Sequence, residues 1–464
     1  MATPPRRLTG LHQQIIALSV PIAGIQFAQI ALTTTDLVLM GLLGMEALAA
    51  GGLALLLYNQ FRTMCVGMVT ALGNLIAASV GRSERRAAGT GPDSSGEEEI
   101  RNLVRSAFLL ATVVALAAAG LLIALSHCLT YLGQDAGVAA LAKPVMIALA
   151  PGLLPMVWLN VLRQFAVGMR HPGSLFWVTL ASIAVNAILG GTLVFGWLGV
   201  PRLGLTGVGI STTVVQIWTF AVYLRAVRRD PVLKDLLSLA FWRARTETAV
   251  RIAKLGWPIS LTYGLEASIT SVAAVVIGTF GPVALAASNI VHQLAKLVYQ
   301  INVGISHGSS ILISRAMGQA QFDDIGKIAR ASLVICFVPM AAIGIAYLCL
   351  PQLVLWPFLR ASASTSILST AVPLLWLAVA YQFLAAAQNI YIGLLRGLGN
   401  TTSGLLNTLV GYWLIGVPAI YICAEQLAWE ERGAWLGLCF AFGATSLLLW
   451  RRFHSELDQL SRDT

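Results

Sequence analysis

Long apolar runs recur along the whole 464-residue chain and constrain its fold more than any other feature. A helix that crosses a bilayer needs ~20 predominantly apolar residues, and about twelve runs meet that criterion. They lie at 13–35, 47–80, 104–127, 137–160, 172–197, 204–224, 252–279, 284–314, 330–352, 367–394, 402–424 and 434–450. Only 11% of the residues are charged, against ~25% in a soluble domain. The sequence therefore predicts an all-α integral membrane protein with twelve transmembrane helices, whose surroundings are a lipid bilayer.

Basic residues concentrate in alternate segments between the apolar runs, and this predicts the orientation in the membrane. With the N-terminus placed in the cytoplasm, the cytoplasmic segments hold most of the arginines and lysines, above all in the stretch from Arg225 to Lys254. The opposite segments hold only Arg202, Arg360 and Arg432, with Lys143 in the outer part of the fourth run. Cytoplasmic loops carry this excess of positive charge, so both termini are expected inside. A basic face for nucleic acid would not alternate with apolar runs, so the net charge of +10 predicts no nucleic-acid partner.

The sequence repeats itself at a spacing of 237 residues. The stretch MGLLGMEALAAGG at 40–52 falls on IGTFGPVALAASN at 277–289, and Pro21 falls on Pro258 without a gap. Because six spans is an even number, both halves enter the membrane in the same direction, as a parallel repeat about an axis along the membrane normal. The sequence predicts two pseudo-two-fold six-helix lobes, at 1–230 and 251–464, joined by a cytoplasmic linker at 231–250.

Two related bundles with a seam between them are typical of transporters that work by alternating access. The motifs HExxH, GxSxG and DDxxD of common enzyme sites are missing from the sequence, so no enzyme is expected. A membrane-embedded transferase would need a clustered acidic or histidine site at one membrane face, and none is found. A flippase for a lipid-linked precursor stays open as the alternative, since it would share the architecture but need a markedly cationic cavity.

Polar residues inside the apolar runs are the candidate site residues, because ionisable groups within a span usually face a protein cavity. Asp36 lies near the outer end of the first run, and Glu266 lies in the middle of the seventh. The eighth run carries a polar stripe at helical spacing, formed by Asn289, His292, Gln293, Lys296, Gln300 and His307. The second run carries a corresponding stripe with Asn59 and Arg62. The stripes predict either the walls of a substrate cavity or a buried hydrogen-bonded network without a ligand.

A metal site is not expected from these residues. His292 and His307 are separated by roughly 22 Å along one straight helix, which is too far for both to bind one ion. The six cysteines are scattered and show no metal-ligand spacing. No cofactor is predicted.

The motifs and their order resemble the multidrug and toxic compound extrusion (MATE) transporters, in the bacterial NorM-type branch. The stretches that carry the resemblance are TTTDLVLMGLLGMEALAA, WPISLTYGLEASI, ALAASNIVHQ, YQFLAAAQ, LLRGLGNT and GYWLIGVPAIY. The resemblance covers nearly the whole chain. It implies a bacterial inner-membrane protein, functional as a monomer, that exports drugs or small organic metabolites by alternating access in exchange for inward H⁺ or Na⁺.

The resemblance also assigns roles to individual residues. It implies an ion-coupling site at Asp36 with Asn186 and Thr212 in the first lobe, and a second at Glu266 with Tyr381. Substrate-cavity residues are expected at Asn59, Arg62, His292, Lys296, Gln300 and Gln388.

The sequence departs from the family pattern at Ala385, where the pattern YQxxD has an aspartate. Hard cations need several oxygen ligands at once, whereas a proton needs one carboxyl group, and burial favours the neutral form of that group. Loss of this acid therefore favours H⁺ over Na⁺ as the coupling ion. Arg62 and Lys296 offset the charges of Asp36 and Glu266, so a zwitterionic or anionic substrate is the alternative to a cationic drug.

Overall fold

A computed structural model describes residues 10–90, 94–131, 135–172, 175–359 and 365–462. The described residues are almost entirely helical and form no β-strand. The first six long helices are α1 (Leu11–Leu42), α2 (Met45–Thr90), α3 (Ser94–Cys128), α4 (Ala136–Gly168), α5 (Leu175–Phe195) and α6 (Leu205–Arg229). The next six are α7 (Thr246–Gly278), α8 (Pro282–Gln319), α9 (Asp323–Cys349), α10 (Thr365–Gly397), α11 (Thr401–Gln426) and α12 (Glu430–Arg462). A short helix, Pro351–Leu359, follows α9.

Eleven of these helices are long and apolar enough to cross a membrane. The remaining helix, α8, is 38 residues long but carries the polar stripe, which lowers its mean hydropathy. The all-α membrane fold predicted from the apolar runs is therefore confirmed. Arg360, which entered the orientation argument, lies outside the described residues.

The described chain divides into two compact units. The first unit spans Gly24–Ser260, and the second unit combines Met1–Ala23 with Leu261–Thr464. Each division falls inside a helix, two residues after a proline: Pro21 lies inside α1 and Pro258 lies inside α7. The two prolines, and the two points of division, are related by the same shift of 237 residues that relates the halves of the sequence. The lobe boundaries predicted at 231–250 stay a prediction.

The first unit is built on α2, which packs against α3 and α4 over an apolar core. Fully buried side chains such as Phe108, Leu72 and Phe165 fill this core. The Trp158 ring of α4 meets Phe108 of α3 edge-on and Phe220 of α6 at a tilt, with ring centroids 6.1 and 5.5 Å apart. This packing ties α2, α3, α4 and α6 together, and α2, α4 and α6 carry most of the first unit's polar residues discussed below.

The second unit is built on α10, which packs against α8 and α12. Its centre is an aromatic cluster in which the ring of Tyr381 contacts Trp435 and Phe442, and Phe442 also contacts Tyr412. Tyr412 lies in α11, which widens into π-helical turns at Val410–Gly416. Pro418 follows directly and has no N–H to donate to the preceding turn, which explains the local departure from α-helical geometry.

Close helix contacts recur at repeat-related positions in the two units. A Cβ placed on Gly67 of α2 would lie 2.6 Å from Cα of Ser260 in the first unit. A Cβ placed on Gly304 of α8 would lie 2.7 Å from Cβ of Ala23 in the second unit. Small residues let membrane helices approach closely, so the glycines aligned by the repeat hold equivalent helix pairs together.

A second pair of contacts extends the repeat beyond the region where the sequences align without gaps. A Cβ placed on Gly168 would lie 2.7 Å from the carbonyl oxygen of Gly73. A Cβ placed on Gly397 would lie 2.8 Å from the carbonyl oxygen of Ser310. Gly73 and Ser310 are related by the shift of 237, whereas Gly168 and Gly397 are related by a shift of 229. The fourth and tenth helices are therefore repeat partners with a different offset.

Candidate functional site

Asp36 is the buried acid of the first unit, with 4% of its surface exposed. One carboxylate oxygen accepts a hydrogen bond from the Asn186 side-chain amide at 2.8 Å. The other accepts one from the Thr212 hydroxyl at 3.2 Å. The partners come from α5 and α6, so residues 150 and 176 positions away along the chain meet at one carboxylate. The ion-coupling residues expected in this lobe are thus brought together.

The Thr212 hydroxyl lies between two acceptors. It is 3.2 Å from Asp36 and 3.0 Å from the backbone carbonyl of Val208. A threonine hydroxyl has one hydrogen to donate and can also accept. It can therefore donate to an ionised Asp36, or turn to Val208 and accept a hydrogen bond from a protonated Asp36. The same backbone geometry satisfies both protonation states of the carboxyl group.

Arg62 forms a second polar group in the first unit with the predicted cavity residue Asn59. Its Nε donates to the Asn59 side-chain oxygen at 3.1 Å, and its Nη1 donates to the Gln29 side-chain oxygen at 2.8 Å. Both acceptors are neutral, so the hydrogen bonds orient the guanidinium without cancelling its charge. Arg62 and Asn59 are partly exposed, as a residue that contacts a ligand must be.

Glu266 is the corresponding acid of the second unit, and it is half-buried in α7. Tyr299 of α8 interacts with it electrostatically. The Tyr299 hydroxyl also lies 3.3 Å from the side-chain oxygen of Asn389 in α10. A hydroxyl with one hydrogen again lies between a carboxyl group and a second acceptor, as Thr212 does in the first unit.

The repeat relates these two polar groups position by position. Gln29 corresponds to Glu266 and Arg62 corresponds to Tyr299 under the shift of 237. The members of each pair interact within their own unit: Arg62 donates a hydrogen bond to Gln29 in the first, and Tyr299 interacts electrostatically with Glu266 in the second. The fold thus keeps the contact and changes its charge from cationic to anionic.

Tyr381 and Gln388 belong to the same polar region of the second unit. Tyr381 interacts electrostatically with Glu266, while its ring packs in the aromatic cluster. The side-chain amide of Gln388 donates to the Tyr412 hydroxyl at 2.6 Å, and Tyr412 also interacts electrostatically with Glu266. Gln388 is fully buried, so in this structure it holds the Tyr412 hydroxyl in place and is not on an exposed cavity wall.

The polar stripe of α8 is spread over several environments. Lys296 is exposed, and His292 beside it is half-buried and interacts with its charge. The Gln300 side chain donates to the Lys296 backbone carbonyl at 3.4 Å. His307, further along the helix, interacts electrostatically with Arg396 of α10. No group of three or more metal-ligating side chains occurs among the described residues.

Several residues of these sites escape sequence reasoning. Tyr299 and Asn389 belong to no motif and lie among other polar residues. The one indication was that Tyr299 aligns with Arg62 under the shift of 237 residues. Tyr58 has a buried hydroxyl and interacts electrostatically with Asp36. No motif or spacing in the sequence points to it. Arg163 counted as a cytoplasmic basic residue in the charge pattern, but its side chain is buried in the first unit.

The helices and the two polar sites define a multi-pass membrane transport protein with two related halves and an acid at the polar site of each. Comparison with known proteins agrees at the level of sequence. The MatE family model matches residues 94–192 and 258–422. The chain belongs to the MatE family, in its NorM-type branch.

Curated relatives match over almost their whole length. The chain is 30% identical over 458 residues to a probable multidrug resistance protein NorM of Brucella suis, covering 97% of this chain and 94% of the relative. It is 29% identical over 445 residues to the protein of the same name from Agrobacterium fabrum, covering 94% and 92%.

Solved structures share the fold. A MOP superfamily transporter from Pyrococcus furiosus superposes with a TM-score of 0.85 at 18% identity, covering 97% of both chains. A eukaryotic MATE transporter superposes with a TM-score of 0.81 at 17% identity, covering 98% of both chains. The prediction of a MATE-like fold is confirmed.

Proposed function

We propose that this chain is a secondary active efflux transporter of the bacterial inner membrane, which exports small organic molecules in exchange for inward protons. It acts as a monomer with both termini in the cytoplasm. The curated relatives are named multidrug resistance proteins, and the family is one of transporters rather than enzymes. The observation that carries the proposal is the buried Asp36 carboxyl group, held by two neutral donors on separate helices.

The geometry at Asp36 favours a proton over Na⁺. Asn186 presents its N–H group to the carboxylate, and the Thr212 hydroxyl donates to it. Hard cations are held by several oxygen lone pairs converging on one point, whereas here donor hydrogens converge on the oxygens. Among the described residues no ion pair involves Asp36, so its charge changes when a proton binds rather than being cancelled by a neighbouring base.

Exchange follows from competition for one negative charge. A cationic group of a substrate is stabilised by the ionised carboxylate, and a proton removes that charge. Protonation from the outer side therefore favours release of the substrate, and deprotonation on the inner side favours its binding. Thr212 keeps the hydrogen bonds of the carboxyl group satisfied in both states.

Glu266 has a supporting role in this proposal. Its unit has Ala385 where the family pattern places a second acid, and Tyr299 is its electrostatic neighbour. We expect Glu266→Gln to weaken substrate binding, seen as a higher KM for a cationic dye, while proton-driven export continues at saturating dye. Loss of export at every dye concentration would contradict this division of roles.

The ion is tested with the purified chain in liposomes. Export of a cationic dye is measured under an inward proton gradient without Na⁺, and under an inward Na⁺ gradient at equal pH on both sides. The proposal expects transport under the first condition and none above the protein-free background under the second. Transport that strictly requires Na⁺ would overturn proton coupling.

A further inference from the structure

Arg163 is a buried cation, and two of its three donor nitrogens have no partner among the described residues. Its side chain is 9% exposed in α4. Its Nε and Nη2 atoms are buried and have no hydrogen-bond partner among the described residues. A guanidinium carries five N–H donors in a planar fork. An unpaired charge held away from water is strongly unfavourable, so a residue left in this state points to an anionic partner.

Arg163 has a second cation and a phenol as electrostatic neighbours within the first unit. Arg62 and Tyr223 both interact with it electrostatically. Tyr58 interacts with Arg62 in the same way, and its buried hydroxyl also lacks a hydrogen-bond partner among the described residues. Unused donors on Arg163 and Tyr58 thus belong to one connected group of side chains.

The charge of this group is not balanced from within. Arg62 donates to the neutral side chains of Asn59 and Gln29. The acid in its surroundings, Asp36, is hydrogen-bonded to Asn186 and Thr212 instead. The other acid near the group, Asp230, is an electrostatic neighbour of Tyr223 and accepts hydrogen bonds from the backbone N–H groups of Val232 and Leu233. Among the described residues neither acid forms an ion pair with Arg62 or Arg163, so the two guanidinium groups lack an anionic partner.

The repeat shows that the fold does not need these arginines. Tyr299 occupies the position of Arg62 in the second half. Asn160 and Asn389 each hydrogen-bond the carbonyl four residues before them, and they are related by the shift of 229 that also relates Gly168 and Gly397. Under that shift Arg163 corresponds to Ile392. The equivalent helix pair has a buried arginine of its own, Arg396, one turn further along α10, and its guanidinium donates to the hydroxyls of Ser310 and Tyr263. Arg163 differs because two of its donor atoms have no such partner within the described part of the chain, and this difference calls for a role other than packing.

We propose that Arg163 and Arg62 form a binding site for a carboxylate-like oxyanion inside the first unit. The planar guanidinium of Arg163 binds two oxygens side by side, and the Tyr58 hydroxyl donates to the same anion. The anion is either the carboxylate end of a transported zwitterion or a free inorganic anion. The first alternative rests on the proposed function. Both sources share the chemistry that the site recognises.

Binding is tested on the purified full chain in detergent, through the thermal midpoint of unfolding. Sodium benzoate or sodium sulfate is titrated against sodium chloride at constant ionic strength. A ligand that binds the folded state raises its stability in a saturable way. We expect such a rise for the native chain and for the control Arg225→Gln, whose arginine is exposed. Arg163→Gln is expected to weaken anion binding about tenfold or more, as for loss of a charged hydrogen bond.

Two further variants keep the test decisive. Without added anion, Arg163→Gln is expected to be at least as stable as the native chain, because it removes an unpaired buried charge. A purely structural arginine would instead lose stability on substitution and leave anion binding unchanged, and this result would overturn the proposal. Should Arg163→Gln fail to fold, Arg163→Lys and Tyr58→Phe must each weaken benzoate binding several-fold, and unaltered binding in both would also overturn it.

Transport separates the two sources of the anion. If the site holds a substrate carboxylate, Arg163→Gln raises the KM for a carboxylate-bearing dye about tenfold relative to a dye with only a cationic group, and benzoate competes with the former. If it holds a free anion, sulfate changes the export of both dyes equally, and Arg163→Gln removes that dependence. Should the native chain export neither dye, the efflux proposal fails while the binding measurement still decides the anion site.

Discussion

At the scale of single residues, both units place a hydroxyl between a carboxyl group and a second acceptor. Thr212 lies between Asp36 and the Val208 carbonyl, and Tyr299 lies between Glu266 and Asn389. A hydroxyl can reverse its hydrogen bond by rotation, whereas an amide N–H only donates. Proton binding at either acid therefore needs no backbone movement to keep the surrounding hydrogen bonds satisfied.

This arrangement predicts a specific effect of Thr212→Val. Valine matches threonine in shape but removes the hydroxyl, so the charged form of Asp36 loses one donor. Hydrogen bonds to charged groups contribute about 1.5–3 kcal/mol, which corresponds to a loss of about tenfold or more in the rate of proton-driven export. Thr212→Ser, which keeps the hydroxyl, is the matched control and is expected to retain most of the rate. Equal rates for the two variants in liposomes would contradict a role for the hydroxyl.

Sequence reasoning identified part of the site and missed the rest for a physical reason. Asp36, Asn186 and Thr212 are carried by motifs, and a carboxylate within an apolar run stands out because it is costly there. Tyr299 does not stand out, because a tyrosine ring is largely apolar and its neutral hydroxyl is far less costly inside a span than a charge. Arg163 lies near the end of its helix, where an arginine usually extends to the interface, so only the packing around it reveals that it is buried.

At the scale of helices, the units divide inside α1 and α7 rather than in the connecting segments. The first part of α7 packs on α2 through Gly67, and the first part of α1 packs on α8 through Gly304. Hydropathy marks where a helix crosses the membrane and does not show which neighbours each half contacts. The helices and their repeat were therefore predictable from sequence, while the division of α1 and α7 was not. The 229-residue relation of α4 to α10 was likewise hidden by the change of offset.

The close contact at Gly67 can be tested by adding one methyl group. Gly67→Ala would place a Cβ 2.6 Å from the Ser260 backbone. Overpacking of this kind costs about 1–3 kcal/mol, so the thermal midpoint of the purified protein is expected to fall by a few degrees. The control is Gly120→Ala in α3, where no heavy atom lies within 4 Å and alanine favours the helix. A midpoint for Gly67→Ala at or above that of the control would contradict the packing described.

At the scale of the whole molecule, one fold carries two different polar sites. Repeat-related positions hold Arg62 with Gln29 in one unit and Tyr299 with Glu266 in the other. The first unit combines the buried acid Asp36 with the cations Arg62 and Arg163, and the second has an acid without its family partner at Ala385. The proposal follows from this asymmetry: the first unit couples transport to protons and the second contributes to binding the substrate.

The most direct test of proton coupling is proton-driven dye export by Asp36→Asn in liposomes. Asparagine keeps the size of the side chain and can still contact Asn186 and Thr212, but it cannot bind and release a proton. The variant is compared with the native chain and with Glu266→Gln, each reconstituted in equal amount. Equal thermal midpoints of unfolding show that all three proteins are folded. The account predicts that Asp36→Asn shows no export above protein-free liposomes under an inward proton gradient, while Glu266→Gln still exports at saturating dye. Normal proton-driven export by Asp36→Asn would contradict it.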